Sequence, residues 1–417
     1  MAWILFGTFF VLVFLNVPIA VSLGLSTLIG LFASSVDFSM FPSIMYSSVG
    51  KFALLAIPFF ILAGTIMEYA GISKRLIRFA QVCVGHTKSG LILVVVIVAC
   101  FFAAISGSGP ATVAALGSIL IPAMTEAGYD KGVGTALMSA SGAIGIIIPP
   151  SIAFVVYASI ANVSVGKLFA GGFIPGILVG VAYVLAAKWS SRNNKNIVQQ
   201  PKASARERWN AFKDAVWGLL MPVIILGGIY GGIFTPTEAA GVAVIYGLIV
   251  GIFIYREIKI KDLWKMFVDS AISSATVMYI VACAAVFAWL LTTSHIASDM
   301  SAGLLAVSSN KYVILALTNI IFLIAGCFLD ANSAFYILIP IMLPVMNAIG
   351  VDPIHFGVVL VCCCGVGFST PPLGENIFIA SGIADTTLED ISYNALPFVF
   401  VTVGVIILCV FACQCLF

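Results

Sequence analysis

The chain has 417 residues, 62% of them hydrophobic and 9% charged, with a formal net charge of +2 and a mean hydropathy of +1.17. That much apolar surface cannot be hidden in one water-soluble core, so the composition describes an integral membrane protein. Several apolar runs exceed the roughly 20 residues that a helix needs to cross about 30 Å of hydrocarbon, and no segment alternates as a membrane β-barrel does. The expected fold class is all-α.

The first apolar stretch runs from Met1 to about residue 33, too long for a signal-peptide core and without a small-residue cleavage site. It reads as a retained membrane helix bent near Asn16 and Pro18, the first of the scaffold helices expected over 1–80. Lys74, Arg75 and Arg78 then mark a cytoplasmic loop by the positive-inside rule. Next comes Leu91 to Ile105, 15 apolar residues or about 22 Å of helix, followed by Ser106-Gly107-Ser108-Gly109-Pro110 and a second short apolar run, Ala111 to Met124. Neither run spans alone. The spacing predicts a re-entrant hairpin over 91–124 with the Ser/Gly turn at its tip and Pro110 in the first turn of the returning helix. The competing reading is a pair of full helices kinked at small residues.

A broken helix is expected over 133–160, where Gly142, Gly145, Pro149 and Pro150 interrupt an apolar run, closing a first repeat over 81–187. Tandem prolines after glycines remove helical N–H donors and leave carbonyl oxygens unpartnered at membrane depth. The basic stretch 188–213, with Lys188, Arg192, Lys195, Lys202, Arg206, Arg208 and Lys213, reads as a cytoplasmic linker. Trp217 to Phe234 and Glu238 to Tyr255 follow as two crossings joined by Thr235-Pro236-Thr237, within a second set of scaffold helices over 214–307. Arg256, Lys259, Lys261 and Lys265 form a further cytoplasmic group. Glu238 has the form of a helix N-terminal acid. The remainder, 308–417, repeats the earlier plan with a hairpin over 312–346 whose tip is Asp330-Ala331-Asn332-Ser333, a broken helix over 354–384 and a C-terminal helix.

The repetition is literal. A shift of 222 residues brings Ile119–Ser159 onto Ile341–Ser381, with Pro122 on Pro344, Gly128 on Gly350, Asp130 on Asp352, Gly145 on Gly367, Pro149-Pro150 on Pro371-Pro372, and later Pro175 on Pro397. In the same frame Ser108 meets Asp330. A duplicated apolar chain with interrupted helices in each half is the outline of a secondary transporter with its site between inverted repeats. Unwound backbone facing a hairpin tip forms an oxygen-rich cage suited to Na⁺, while helix N-termini favour an anionic group; a simple proline kink is the alternative at either break. Asp330 and Glu375 are open to two readings, as proton carriers or as a helix cap and a cavity-lining group. The ten cysteines, including Cys100, Cys283, Cys327, Cys362 to Cys364, Cys409, Cys413 and Cys415, sit in apolar runs and suggest buried packing. His86, His295 and His355 lack metal-ligand spacing and read as interfacial. No nucleophile–base pair is visible, so an enzyme is not expected.

Four tracts resemble one family: Ser106 to Gly117 (Ser-Gly-Ser-Gly-Pro-Ala-Thr-Val-Ala-Ala-Leu-Gly), Ile146 to Ile152 (Ile-Ile-Ile-Pro-Pro-Ser-Ile), Gly231 to Ala240 (Gly-Gly-Ile-Phe-Thr-Pro-Thr-Glu-Ala-Ala) and Thr370 to Asn376 (Thr-Pro-Pro-Leu-Gly-Glu-Asn). Together they are similar to the large membrane subunit of the tripartite ATP-independent periplasmic (TRAP) transporters, over essentially the whole chain. The resemblance implies a permease of the bacterial inner membrane that works by an elevator movement and imports organic acids with Na⁺, needing no cofactor. It also implies two partners, a small four-helix membrane subunit and a periplasmic substrate-binding protein, and no nucleic acid. Because the chain begins at the large subunit, the small one is expected as a separate polypeptide. The tip and the tract Gly374 to Gly382 look more like the C4-dicarboxylate branch than the sialic-acid branch.

By resemblance and offset, one Na⁺ would lie between Ser106, Ser108 and the carbonyls around Gly145, Ile148 and Pro150. The other would lie between Asp330, Asn332 and Gly367, Thr370 and Pro372. Ser108, Thr112, Asn332 and Asn376 are the candidates for the substrate carboxylates, with interhelical hydrogen bonding as their alternative role. No Lys or Arg lies in the interrupted segments. A divalent-anion/sodium symporter that needs no binding protein, or a proton-coupled carrier, are the competing functions.

Overall fold

The computed structural model describes residues 1–34, 36–308, 310–371 and 373–412, which form helices and no strand. Pro372, Cys413 and Cys415 lie outside the described residues. Two short helices open the chain, α1 (Ala2–Phe14) and α2 (Ile19–Phe32). They do not form one bent helix as the sequence suggested: Asn16 adopts a left-handed φ of 62°, and the chain folds back so that Gly30 lies against Leu5. At 13 and 14 residues, each is about 20 Å long, short of a full crossing.

After α3 (Met40–Val49), α4 (Ala56–Tyr69) and α5 (Ile72–Val84) comes a run of five helices whose bounds recur later in the chain. α6 (Gly90–Ser106), α7 (Gly109–Glu126), α8 (Lys131–Ile147), α9 (Ile152–Ala161) and α10 (Val165–Ser190) lead into α11 (Ala205–Tyr230), α12 (Pro236–Ile249, ending in a π turn over Val250–Ile254), α13 (Ile260–Thr293) and α14 (Ile296–Val307). Then follow α15 (Lys311–Phe328), α16 (Ala331–Ala348), α17 (Pro353–Phe368), α18 (Glu375–Ala384) and α19 (Leu388–Ala412). Adding 222 to the bounds of α7 gives those of α16, and the same shift places α6, α8, α9 and α10 within one or two residues of α15, α17, α18 and α19.

Local chemistry explains the agreement. Asp130 caps α8 through the Val133 N–H at 3.1 Å, and Asp352 caps α17 through the N–H groups of Ile354 at 2.7 Å and His355 at 3.1 Å. Gly128 and Gly350, two residues before each of these caps, both take left-handed φ, at 86° and 72°, a conformation that costs glycine little.

Eight helices among the described residues are long and apolar enough to cross a bilayer, and α8 with α9, bent by 42° at their break, would make a ninth. The chain is therefore a multi-pass membrane protein. Its outer surface agrees: Phe173, Ile174, Ile177, Val181 and Leu185 form an exposed apolar stripe along α10, the face a helix turns to lipid. By contrast α8 is buried from Gly132 to Ile147 and α17 from His355 to Phe368. These two pack side by side at the centre, wrapped by α6, α7, α10, α15 and α19.

Two sequence expectations need adjusting. The stretch 188–213 is not all linker, since α10 continues to Ser190 and α11 already begins at Ala205, started by a capping box in which Ser204 N–H donates to Glu207 at 2.7 Å and Glu207 N–H to Ser204 Oγ at 3.2 Å. His355 is not interfacial; it is 3% exposed at the start of α17 with neither ring nitrogen hydrogen-bonded. Glu238 does sit in a capping box with Thr235, whose N–H it accepts at 2.8 Å.

Candidate functional site

The turn between α6 and α7 is held by its own polar groups. Ser106 Oγ lies 3.2 Å from Thr112 Oγ1, and Thr112 Oγ1 donates to the Ser108 carbonyl at 2.7 Å. Ser108 caps α7 weakly, accepting from Ala111 N–H at 3.4 Å. Gly107 sits at φ 61°, where a Cβ would come within 2.8 Å of the Pro150 carbonyl, and its own carbonyl accepts from Ile152 N–H at 3.2 Å. The tip therefore rests on the break between α8 and α9. Gly145, on α8, faces the same turn: a Cβ there would lie 2.7 Å from both the Ser108 carbonyl and Thr112 Oγ1. Ile148 is extended (φ −75°, ψ 127°), which ends α8 there, and Ile148 and Pro150 are both buried.

The second turn, between α15 and α16, carries a carboxylate in place of the hydroxyl. Asp330 accepts from the N–H groups of Asn332 at 3.0 Å and Ser333 at 3.2 Å and from the Ser333 hydroxyl, so it is the N-cap of α16. Asn332 Oδ1 is buried without a partner. Near the turn, α15 approaches the end of α17 backbone to backbone: a Cβ on Gly367 would fall 2.6 Å from the Cα of Gly326. Thr370 donates its hydroxyl to the Val366 carbonyl at 2.7 Å.

A cavity of about 730 Å³ joins the two turns. One wall is Ser106, Gly107, Ser108, Asp330 and Asn332 with Glu375 of α18; the opposite wall comes from α4 and α13 and carries Thr65, Glu68, Tyr69, Asp269, Ser273 and Thr276. Tyr69 donates to Asp269 at 3.2 Å. Among the described residues, four carboxylates and no Lys, Arg or His line this space. Of the residues singled out from sequence, Ser106, Ser108, Asp330 and Asn332 thus share one cavity.

Thr112 and Asn376, expected to meet substrate, are placed behind that wall. Both are fully buried, Thr112 because its hydroxyl closes the first turn, and Asn376 because its amide donates to the Ser139 carbonyl at 3.2 Å. Ser369 donates to the same carbonyl at 3.0 Å. Gly145, Ile148, Pro150, Gly367 and Thr370 stand behind the wall as well and do not line the cavity, and Pro372 lies outside the described residues.

A family model described as the DctM component of tripartite ATP-independent periplasmic transporters matches residues 6–415. The chain belongs to this family. It is 41% identical over 406 residues to the isethionate TRAP transporter permease protein DctMQ of Oleidesulfovibrio alaskensis, which covers 97% of this chain while the chain spans only 64% of that relative's length. It is 36% identical over 422 residues to the C4-dicarboxylate TRAP transporter large permease protein DctM of Rhodobacter capsulatus, covering 98% of this chain and 96% of that one. It is 36% identical to the 2,3-diketo-L-gulonate TRAP transporter large permease protein YiaN of Escherichia coli, covering 90% of this chain and 88% of that one. These relatives are transporter permeases, not enzymes. The fold is also similar to the Alcanivorax borkumensis YdaH transporter, with a TM-score of 0.63 at 17% identity over 90% of this chain and 89% of that one.

In this TRAP permease the far wall of the cavity, Glu68 and Asp269 above all, escaped the reading of the sequence. Glu68 is an acid inside an otherwise apolar run, a signal that carries a functional presumption at membrane depth, whereas Asp269 follows Lys265 by four residues and reads as part of the basic group. Ser151 was missed too: it accepts from Phe154 N–H at 3.4 Å to start α9 and donates to the Ile146 carbonyl at 2.6 Å, partnering one of the carbonyls that the broken helix exposes.

Proposed function

We propose that the chain is the large permease subunit of a tripartite importer in the bacterial inner membrane, carrying a small organic anion, of the C4-dicarboxylate class, together with Na⁺. The carrying observation is the 730 Å³ cavity, which both turns enter and which, among the described residues, is lined by four carboxylates without a basic residue. A dianion entering alone would meet more like charge than unlike, with Lys265 beside Tyr69 offsetting part of it, and like charge is costly in a space of low dielectric. Cations bound first at the turns would reverse that balance, so the lining favours Na⁺ before substrate. Oxygen atoms suited to a hard cation cluster at the first turn in Ser106, Ser108 and the carbonyls beside Gly145, and at the second in Asp330 and the unpaired Asn332 amide oxygen.

The two helix–turn–helix units are then re-entrant hairpins of an inverted repeat. With the broken helices α8–α9 and α17–α18 they form the moving body, and α4 and α13 belong to the fixed scaffold across the cavity. Substrate comes from a periplasmic binding protein, and a small membrane subunit braces the scaffold.

Reconstitution tests this reading. Liposomes holding this chain and its small subunit, given the binding protein, should take up a C4-dicarboxylate down a Na⁺ gradient. The chain alone should take up little. Uptake by this chain without the other two would assign it to self-sufficient anion symporters, and uptake driven by a pH gradient without Na⁺ would move coupling to Asp330 or Glu375.

A further inference from the structure

Away from the transport cavity, the packing of α5 on α11 leaves cations without partners. The seam between the helices is closed by Arg78 against Asp214 at 3.6 Å and by the rings of Phe79 and Phe212, 5.8 Å apart. A hollow opens on each side of it. One, of about 540 Å³, is lined by Lys74, Arg75, Arg78, Lys213, Asp214, Trp217, Tyr255 and Glu257 among others. The other, of about 550 Å³, is lined by Phe79, Lys202, Arg208, Trp209 and Phe212 with two alanines. Six cations therefore face two carboxylates, and those two are taken: Glu257 by Arg75 at 2.8 Å, Asp214 by Arg78.

The guanidinium of Arg208 makes the point sharper, because its Nε and one Nη are buried with no acceptor. A buried donor on a permanent cation is expensive to leave unpaired, so an anion is the natural complement. Lys213 lies over the Trp209 ring at 5.5 Å, with no carboxylate of its own. Trp209 is 57% exposed and Trp217 38%. Basic side chains beside exposed tryptophans mark the headgroup level of a bilayer, and the positive-inside rule puts this level on the cytoplasmic side. An apolar span follows directly in α11, which would let acyl chains lie along the same helix.

We infer that the hollow beside Phe79 and Phe212 binds the phosphate of anionic phospholipids in the cytoplasmic leaflet, with Arg208 and Lys202 as its main ligands and Lys213, over the Trp209 ring, beside them. A free phosphate ester offers the same chemistry, but the flanking tryptophans and apolar span select the lipid. Since α5 leads directly into α6, a lipid held here would sit at the root of the first helix–turn–helix unit.

The test uses the full chain in detergent. Retention of phosphatidylglycerol and phosphatidylcholine is compared by native mass spectrometry for the wild type, the double variant Arg208→Gln/Lys202→Gln, the charge-keeping Arg208→Lys, and a control, Arg192→Gln/Lys195→Gln, that removes equal charge from the neighbouring loop. Each lost cation should weaken phosphatidylglycerol retention about 5-fold, so the double variant should lose roughly 25-fold. The control should lose little, Arg208→Lys should fall between the wild type and the double variant because an ammonium keeps the charge but not the guanidinium fork, and phosphatidylcholine should not discriminate. Equal loss in the control and the double variant would reduce the site to general surface charge. Displacement of phosphatidylglycerol by soluble glycerol phosphate at matched concentration would make it a site for free phosphate esters and overturn the lipid assignment.

Discussion

The two turns that meet in the cavity each start a helix at the same repeat position and differ in backbone, left-handed at Gly107 and extended at Leu329, and in charge. At the first, the α7 cap is the Ser108 hydroxyl, held by one long contact of 3.4 Å; at the second, the α16 cap is the Asp330 carboxylate, held by two backbone N–H groups and a hydroxyl. The residues lie 222 apart, the spacing of the duplication. Duplication thus preserved the geometric task, starting a helix after a sharp turn, and left its chemistry free to change. On the function proposed above, a neutral turn and an anionic turn facing one cavity would make two cation sites of unequal strength.

The largest effect separating the two halves should come from the close approach behind each turn. At Gly367 an added Cβ would fall 2.6 Å from backbone atoms of Gly326, which no rotamer change can relieve. Gly367→Ala should cost about 1 to 3 kcal/mol of stability as overpacking and abolish uptake, because the second turn must shift off α17. Its repeat partner, Gly145→Ala, meets the Ser108 carbonyl and Thr112 Oγ1 at 2.7 Å; Thr112 can rotate but the carbonyl cannot, so the cost should be somewhat smaller. Thermal unfolding of the two variants in detergent checks the order, and a Gly145→Ala more damaging than Gly367→Ala would contradict it.

Next in size is the charge itself. Asparagine caps helices about as well as aspartate, so Asp330→Asn should hold α16 while removing the anion. It should unfold at nearly the wild-type temperature and need far more Na⁺ for half-maximal uptake. Asp330→Ala should lose the cap as well, about 0.5 to 2 kcal/mol. If Asp330→Asn keeps the wild-type Na⁺ dependence, the carboxylate is only a cap.

Much of this arrangement was legible in the sequence because its signals are local. Prolines, glycines and capping acids act over a few residues, so Pro122 and Pro344, Gly128 and Gly350, and Asp130 and Asp352 marked the repeat, and Ser108 and Asp330 the two turns. What the sequence hid depends on contacts between distant elements. Nothing around Glu68 or Asp269 says that α4 and α13 face the turns, and nothing around Asn376 says that its amide is spent on Ser139, 237 residues away. The folded-back α1–α2 pair looked like one bent span because a left-handed Asn16 and a helix kink leave the same apolar trace. The early start of α11 did have a signal, the Ser204–Glu207 capping box, but it opens an amphipathic stretch whose charges read as loop.

The smallest effect on stability, and the most discriminating for function, should come from Ser108→Ala. Its cap bond to Ala111 N–H is long, and Pro110, which has no N–H, already removes one of the donors that a cap would satisfy. Losing the hydroxyl should therefore cost about 0.5 kcal/mol of stability, the low end for a helix cap. The same oxygen lines the cavity, and if it coordinates a desolvated Na⁺ its loss should raise the Na⁺ requirement roughly 5- to 150-fold, the range for one missing hydrogen-bond-like contact in a buried site. Thr370→Val is the matched probe in the second half, since its hydroxyl is already donated to Val366 and stands behind the wall; it should shift the Na⁺ dependence less than Ser108→Ala does. Na⁺ titrations of uptake by both variants, at equal amounts of folded protein, decide it: an equal or larger shift for Thr370→Val would place the ion behind the wall, at the broken helix, rather than in the cavity.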